Sequence, residues 1–159
     1  MRNDCRKDVK WKSNIATEAL ELLFLKINSM APEIRVDDFP LKDETDFIIG
    51  RAYEIYRQLG FGFSEIVYKD AFEYEFNFHD TLFEREKEYP VKYNDIILRH
   101  KFYADFVVLD KVILEIKAKE AIAIEDYAQA INYLKCSGCK VGLILNFGRS
   151  KLEIKRVVF

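Results

Sequence analysis

Cysteine is scarce: three in 159 residues, at positions 5, 136 and 139. Three scattered thiols build no disulfide framework. Cys136 and Cys139 form one C-x-x-C pair, but a four-ligand zinc site needs a second pair. Redox pairs of this kind tend to open a helix, whereas this one closes a helical stretch, with Gly138 as the stop. No apolar run approaches the ~20 residues that a membrane span requires. The charged N-terminus is followed by no apolar stretch of signal-peptide type, so no secretory signal is expected. A reducing, cytoplasmic setting away from the membrane follows as an expectation. An excess of one charge is also lacking: 25 basic residues stand against 27 acidic ones, for a formal net charge of -2. The global field therefore does not advertise a nucleic-acid binder. The two histidines, His79 and His100, fall at a helix end and on a strand, where structural or solvated roles are expected.

What is present is an ordinary globular balance, with half the residues apolar and a third charged. The length suits one domain with a sizeable core. With 13 Phe and 9 Tyr, aromatic packing should dominate that core. Charge is unevenly distributed. Lys135, Lys140, Arg149, Lys151, Lys155 and Arg156 face only Glu153 over the C-terminal stretch. This basic end reads either as a phosphate-contacting surface or as solvated charge.

Residues 1–43 read as an extension. Ala19, Leu20, Leu22, Leu23 and Leu25 predict a helix over 16–27, and Pro32 and Pro40 interrupt the pattern that follows. The domain proper is expected over 44–159. Ile48, Ala52, Ile55, Tyr56 and Leu59 fall at helical spacing and stop at Gly60. A second helix is predicted from an N-cap at Ser64 to about His79. The period then changes to two from Phe83 to Tyr89. Asn94-Asp95 is a turn, the next strand runs over 96–109, and Asp110-Lys111 turns into a strand over 112–118. A helix over 124–136 and strands over 141–146 and 152–158 complete the order α, α, β, β, β, α, β, β. The continuous apolar strand 141–146 predicts burial on both faces.

Side chains on a strand alternate faces. Tyr103, Asp105 and Val107 are expected on one side of their strand, with Phe102, Ala104, Phe106 and Val108 on the other. On the next strand Ile113, Glu115 and Lys117 share a face. A hairpin can then set Asp105 beside Glu115 and Lys117. Carboxylates within apolar strands need a partner, because a buried, unpaired charge is costly. Two adjacent acids repel unless a cation sits between them. A hard divalent ion with oxygen ligands answers that need. Lys117 can then orient the attacking water and offset charge on a phosphate. The alternative is a salt-bridged hairpin in which Lys117 neutralises the acids.

Two helical features bear on the choice. Gln129 and Tyr133 lie four residues apart on one face and can reach a phosphate or hold the lysine. Gly60 and Gly62 permit a sharp turn into a helix whose first turn carries Glu65. That acid either favours the helix dipole or aims at the metal as a third carboxylate.

The ordered set Gly62-x-x-Glu65-x-x-Tyr68, Asp105, Glu115-Ile116-Lys117, Gln129-x-x-x-Tyr133 and Asn146-Phe147-Gly148 resembles the GxxExxY protein family, which is assigned to the PD-(D/E)XK nuclease superfamily. The resemblance spans about Asp46 to Phe159. It implies an α+β restriction-endonuclease-like fold, a mixed sheet in αβββαβ order flanked by helices. It implies Asp105 and Glu115 as metal ligands, and the metal-site reading adds the Ile116 backbone carbonyl, with Mg²⁺ or Mn²⁺ as the ion. Lys117 becomes the catalytic lysine, Glu65 an additional active-site acid that also borders the metal, and Gln129 and Tyr133 the helix motif. Relatives often carry His where this chain has Tyr56. The activity implied is metal-dependent hydrolysis of nucleic-acid phosphodiesters, with DNA the first substrate to consider. A homodimer or a protein partner is a further expectation. The competing reading is a non-catalytic nucleic-acid- or protein-binding module on the same fold.

Overall fold

Ile48, Ala52 and Ile55 are all buried on one side of helix α1 (Lys42–Leu59). The computed structural model describes residues 39–159; the helix expected over 16–27 lies outside them. Gly60 ends α1 at φ 69°, and its N–H donates to the Tyr56 carbonyl. Helix α2 (Glu65–Phe78) buries Tyr68, Phe72 and Phe76, spaced four apart. Strands β1 (Phe83–Tyr93), β2 (Ile96–Val108) and β3 (Val112–Lys117) follow. Helix α3 (Ile124–Ser137) leads through Gly138, at φ 76°, into β4 (Val141–Asn146) and β5 (Glu153–Val158). Among the described residues no helix is long and apolar enough to cross a membrane. Cys136 and Cys139 are free thiols.

The strands form one mixed sheet in the order β1-β2-β3-β4-β5. β3 and β4 are parallel, and the other neighbours are antiparallel. Parallel neighbours need a crossover, which α3 supplies. The run α2-β1-β2-β3-α3-β4 is the αβββαβ core, with α1 and β5 flanking it.

Two apolar clusters cover the two sheet faces. On one, α1 and α2 pack on Phe106, Val108, Leu114, Ile116, Leu143 and Phe147. Tyr68 stacks on Phe147 there, with ring centroids 4.3 Å apart. On the other, Ala130, Tyr133 and Leu134 of α3 pack on Val107, Ile113 and Ile144. Every residue of β4 is buried, as its continuous apolar run predicts.

Strict alternation along β2 does not hold. Phe106 and Val108 pack with α1 and α2, whereas Ala104 and Phe102, of the same parity, pack with α3. β1 changes sides in the same way, with Phe83 in the first cluster and Tyr89 in the second. Between these residues, Glu86 adopts φ 51°. Arg85 pairs with Phe106 and Lys87 with Ala104, while Glu86 and Asp105 drop out of the ladder. A left-handed residue disrupts a ladder locally and increases its twist. The hairpin therefore rolls over at the level of Asp105.

A second irregularity coincides with the first. β2 pairs with β3 only through Phe106–Leu114, Val107–Ile113 and Val108–Val112. Beyond that point β2 continues against β1 alone, and β3 continues against β4 as far as Lys117–Asn146. The sheet forks just past Phe106 and Leu114.

Candidate active site

Asp105 and Glu115 stand at the mouth of this fork and take over the hydrogen bonds that the ladder gives up. The Ile116 N–H donates to Asp105 Oδ2 at 2.7 Å, and the Asp105 N–H donates to Glu115 Oε1 at 3.2 Å. Asp105 thus lies along the hydrogen-bonding direction of the sheet, between its two faces. Both acids are buried, Glu115 at 1% exposure and Asp105 at 9%. Each has an ammonium partner, as buried charges require. Lys117 Nζ is 3.3 Å from Glu115 Oε2. Lys69, on α2, pairs with Asp105 Oδ1.

Glu115 and Lys117 titrate away from their ordinary values. Burial, and then the charge of Asp105, push the Glu115 carboxyl up to about 8 despite Lys117 beside it. Burial pulls the Lys117 ammonium down. The charges of Glu115 and Asp105, the bond to Glu115 and the charge of Glu65 outweigh it, so its pKa is raised.

A chain of side-chain bonds holds Lys117. Its ammonium donates to Gln129 Oε1 at 3.0 Å, Gln129 Nε2 donates to the Tyr133 hydroxyl at 2.8 Å, and that hydroxyl donates to the Tyr103 carbonyl at 2.7 Å. Gln129 and Tyr133 share a face of α3, as their spacing predicts. The chain ends on β2 two residues before Asp105, so α3 ties both prongs of the fork together. Burial, and then the charge of Glu115, push the Tyr133 hydroxyl up to about 12, so it stays a neutral donor. The start of α3 is fixed by Asp126, which accepts the Ala123 N–H at 2.7 Å and pairs with Lys119.

Glu65 reaches the end of β3 from the opposite helix layer. Its Oε1 accepts the Ala118 N–H at 3.3 Å, one residue past Lys117. The turn that aims it uses Gly60 at φ 69° and Gly62 at φ 104°. Tyr68 pins this turn: its hydroxyl donates to the Gly60 carbonyl at 3.1 Å and accepts the Phe63 N–H at 3.3 Å. Ser64 occupies the N-cap position, but its side chain makes no capping bond; its carbonyl accepts the Val67 N–H instead. Among the described residues, no three acids, histidines or cysteines converge on a point that a metal ion could occupy. Glu65 therefore borders Lys117 without closing with Asp105 and Glu115 into a three-acid cluster.

One residue of the fork escaped the reading of the sequence. Lys69 lies four residues after Glu65, on the same face of α2, and that spacing is the signal that points to it. The motif Asn146-Phe147-Gly148 forms a clamp behind Lys117. Asn146 Nδ2 donates to the Lys119 carbonyl at 2.9 Å, and Asn146 Oδ1 accepts the N–H groups of Lys119 and Gly148 at 3.0 and 3.1 Å. The Phe147 N–H donates to the Lys117 carbonyl at 2.7 Å. Tyr56 donates its hydroxyl to the Arg149 carbonyl at 3.0 Å.

Four of the basic C-terminal residues have partners within the fold. Arg149 pairs with Glu120 at 2.5 Å and Lys155 with Glu153 at 3.6 Å. Arg156 is partly buried and donates to the Pro40 carbonyl. The Lys135 ammonium lies over the Phe159 ring.

Residues 42–157 match the family model of the PD-(D/E)XK nuclease superfamily. The chain belongs to that superfamily. Among solved structures, one described as "Crystal structure of SSO0001" is 17% identical, with a TM-score of 0.48. The match covers 74% of this chain and 58% of that one. No curated protein matches the chain.

Proposed function

We propose that this chain is a divalent-metal-dependent nuclease of the GxxExxY type, acting on nucleic acid, with DNA the first substrate to consider. The observation that carries the reading is the fork itself, where two buried acids from adjacent strands meet around the Ile116 backbone beside Lys117. The donor set suits a hard cation, because carboxylate and carbonyl oxygens are what Mg²⁺ and Mn²⁺ prefer. In a strand, the N–H and C=O of one residue point to the same neighbour. The Ile116 N–H points at Asp105, so its carbonyl faces the same gap. Burial and the charge of Asp105 raise the Glu115 carboxyl above the ordinary carboxylate range, so ion binding there is coupled to proton release.

In this reading Asp105, Glu115 and the Ile116 carbonyl would hold the ion, with Glu65 as a neighbouring acid. Bound there, Mg²⁺ or Mn²⁺ supplies Lewis-acid polarisation of the phosphate and a water of lowered pKa. Lys117 presents a fixed ammonium to the same space and offsets charge developing on the phosphate oxygens. Gln129 and Tyr133 keep that ammonium in place. Burial around Glu115 strengthens each of these interactions by excluding water. Crystals soaked in Mn²⁺ test the reading: density between Asp105 and Glu115 is expected, and its absence at full soak counts against the metal site.

A second reading has one observation in its favour. Each acid of the fork already has an ammonium, Lys69 or Lys117, so the cluster is paired without an ion. The protein would then be a binding module on a nuclease fold. That reading requires salt-dependent nucleic-acid binding that survives chelation, with no cleavage of any substrate.

A further inference from the structure

Among the described residues, Lys69 is a charged group at the fork to which the nuclease reading gives no task. Its side chain is largely buried, at 15% exposure, and its ammonium pairs with Asp105 Oδ1. The other oxygen of the same carboxylate is engaged by the Ile116 N–H. Oδ1 is therefore the oxygen Asp105 has to offer an ion, and an ammonium already sits on it. Lys117 differs in its hold: its ammonium bonds Glu115 and is also anchored by Gln129 Oε1 at 3.0 Å. Lysine is a compact point charge on a flexible stem, able to leave one partner without moving the backbone. Two cations cannot share one carboxylate oxygen at contact distance without strong mutual repulsion.

We propose that Lys69 is a built-in counter-cation of the candidate metal site: it occupies Asp105 Oδ1 in the ion-free protein, competes with the divalent ion and sets its affinity. The inference rests on the metal-binding reading above. Lys69 is on this view a positioning residue. It keeps Asp105 aligned with Ile116 while no ion is bound, and it makes the ion's entry an exchange of one cation for another. The design trades affinity for a preformed geometry, since without a counter-charge two adjacent buried acids repel each other.

Calorimetric titration of Mn²⁺ alone into the full chain tests this without any nucleic acid or turnover. Lys69→Met and Lys69→Gln remove the competing charge and should tighten Mn²⁺ binding by about tenfold, the scale of losing one close like charge. Lys69→Arg keeps the charge and should keep the weak wild-type affinity. Circular dichroism melts check folding, and the Gln variant carries the test if the Met variant does not fold. A structural role alone predicts unchanged or weaker binding in the Met and Gln variants, and that result overturns the inference while leaving the metal site standing. Binding by Lys69→Met where the wild type shows none is the strongest form of support. Absence of binding in every variant, wild type included, removes the metal site and this inference with it.

Discussion

The Ile116 N–H donates to Asp105 Oδ2 at 2.7 Å, so a side chain supplies the bond that a strand carbonyl would otherwise make. Site and fold share this contact. Asp105→Ala leaves a buried N–H without its acceptor and should cost about 1–3 kcal/mol. Asp105→Asn keeps an acceptor and should retain more of the stability, while both variants lose Mn²⁺ affinity. Urea denaturation set beside Mn²⁺ titration separates the two effects. Equal stability loss in both variants would mean that the charge, and not the acceptor, holds the fork.

Lys117 depends on Tyr133 through Gln129. Tyr133→Phe removes the hydroxyl that accepts from Gln129 and donates to the Tyr103 carbonyl. Ligand-supporting contacts of this kind typically contribute 10–100-fold to activity. Cleavage should fall by about tenfold or more in Tyr133→Phe and in Gln129→Ala, with Mn²⁺ affinity little changed. A fall in metal affinity equal to the fall in rate would place the helix motif in metal binding instead.

The raised pKa of Glu115 predicts a pH-dependent stability. Below about 4.5 the carboxyl is protonated in both folded and unfolded chains, and above about 8 it is ionised in both. Between these values the folded protein binds more protons than the unfolded one, so stability falls as pH rises. Urea denaturation at acidic, neutral and alkaline pH should show this decline in wild type and a flatter profile in Glu115→Gln. Saturating Mn²⁺ should reduce the decline, and binding at neutral pH should release up to about one proton, read by calorimetry in two buffers.

Gly148 is fixed by the clamp behind Lys117. A Cβ there would lie 1.8 Å from the Lys119 carbonyl oxygen and 2.4 Å from its nitrogen. Backbone atoms cannot step aside as a flexible side chain does. Gly148→Ala should destabilise by about 1–3 kcal/mol or more, measured by thermal denaturation. It should also weaken cleavage, because the displaced segment directly follows Lys117.

Much of this was legible in the sequence, for identifiable reasons. The i, i+4 spacing of Tyr68, Phe72 and Phe76 marks α2, and the unbroken apolar run of β4 marks a strand buried on both sides. The Asp105–Glu115 meeting follows from two strands joined by a tight turn, because antiparallel register carries both residues to the same level. Parity, however, could not predict that β1 and β2 roll over at Glu86 and Asp105. A left-handed conformation at a glutamate has no compositional signature. Lys69 was missed because its partner lies 36 positions away and only the docking of α2 on the sheet joins them. For the basic C-terminal run, counting charges does not show the acids and carbonyls that Arg149, Lys155 and Arg156 meet once folded.

The most direct test of the central claim is cleavage of a panel of single- and double-stranded DNA and RNA by the full chain with Mg²⁺ or Mn²⁺. Wild type, Glu115→Gln and Lys117→Ala are run side by side. The account predicts cleavage by wild type that chelation abolishes, and a loss of at least about 10²-fold in both variants. Equal cleavage by wild type and variants, or none by wild type on any substrate, would contradict it.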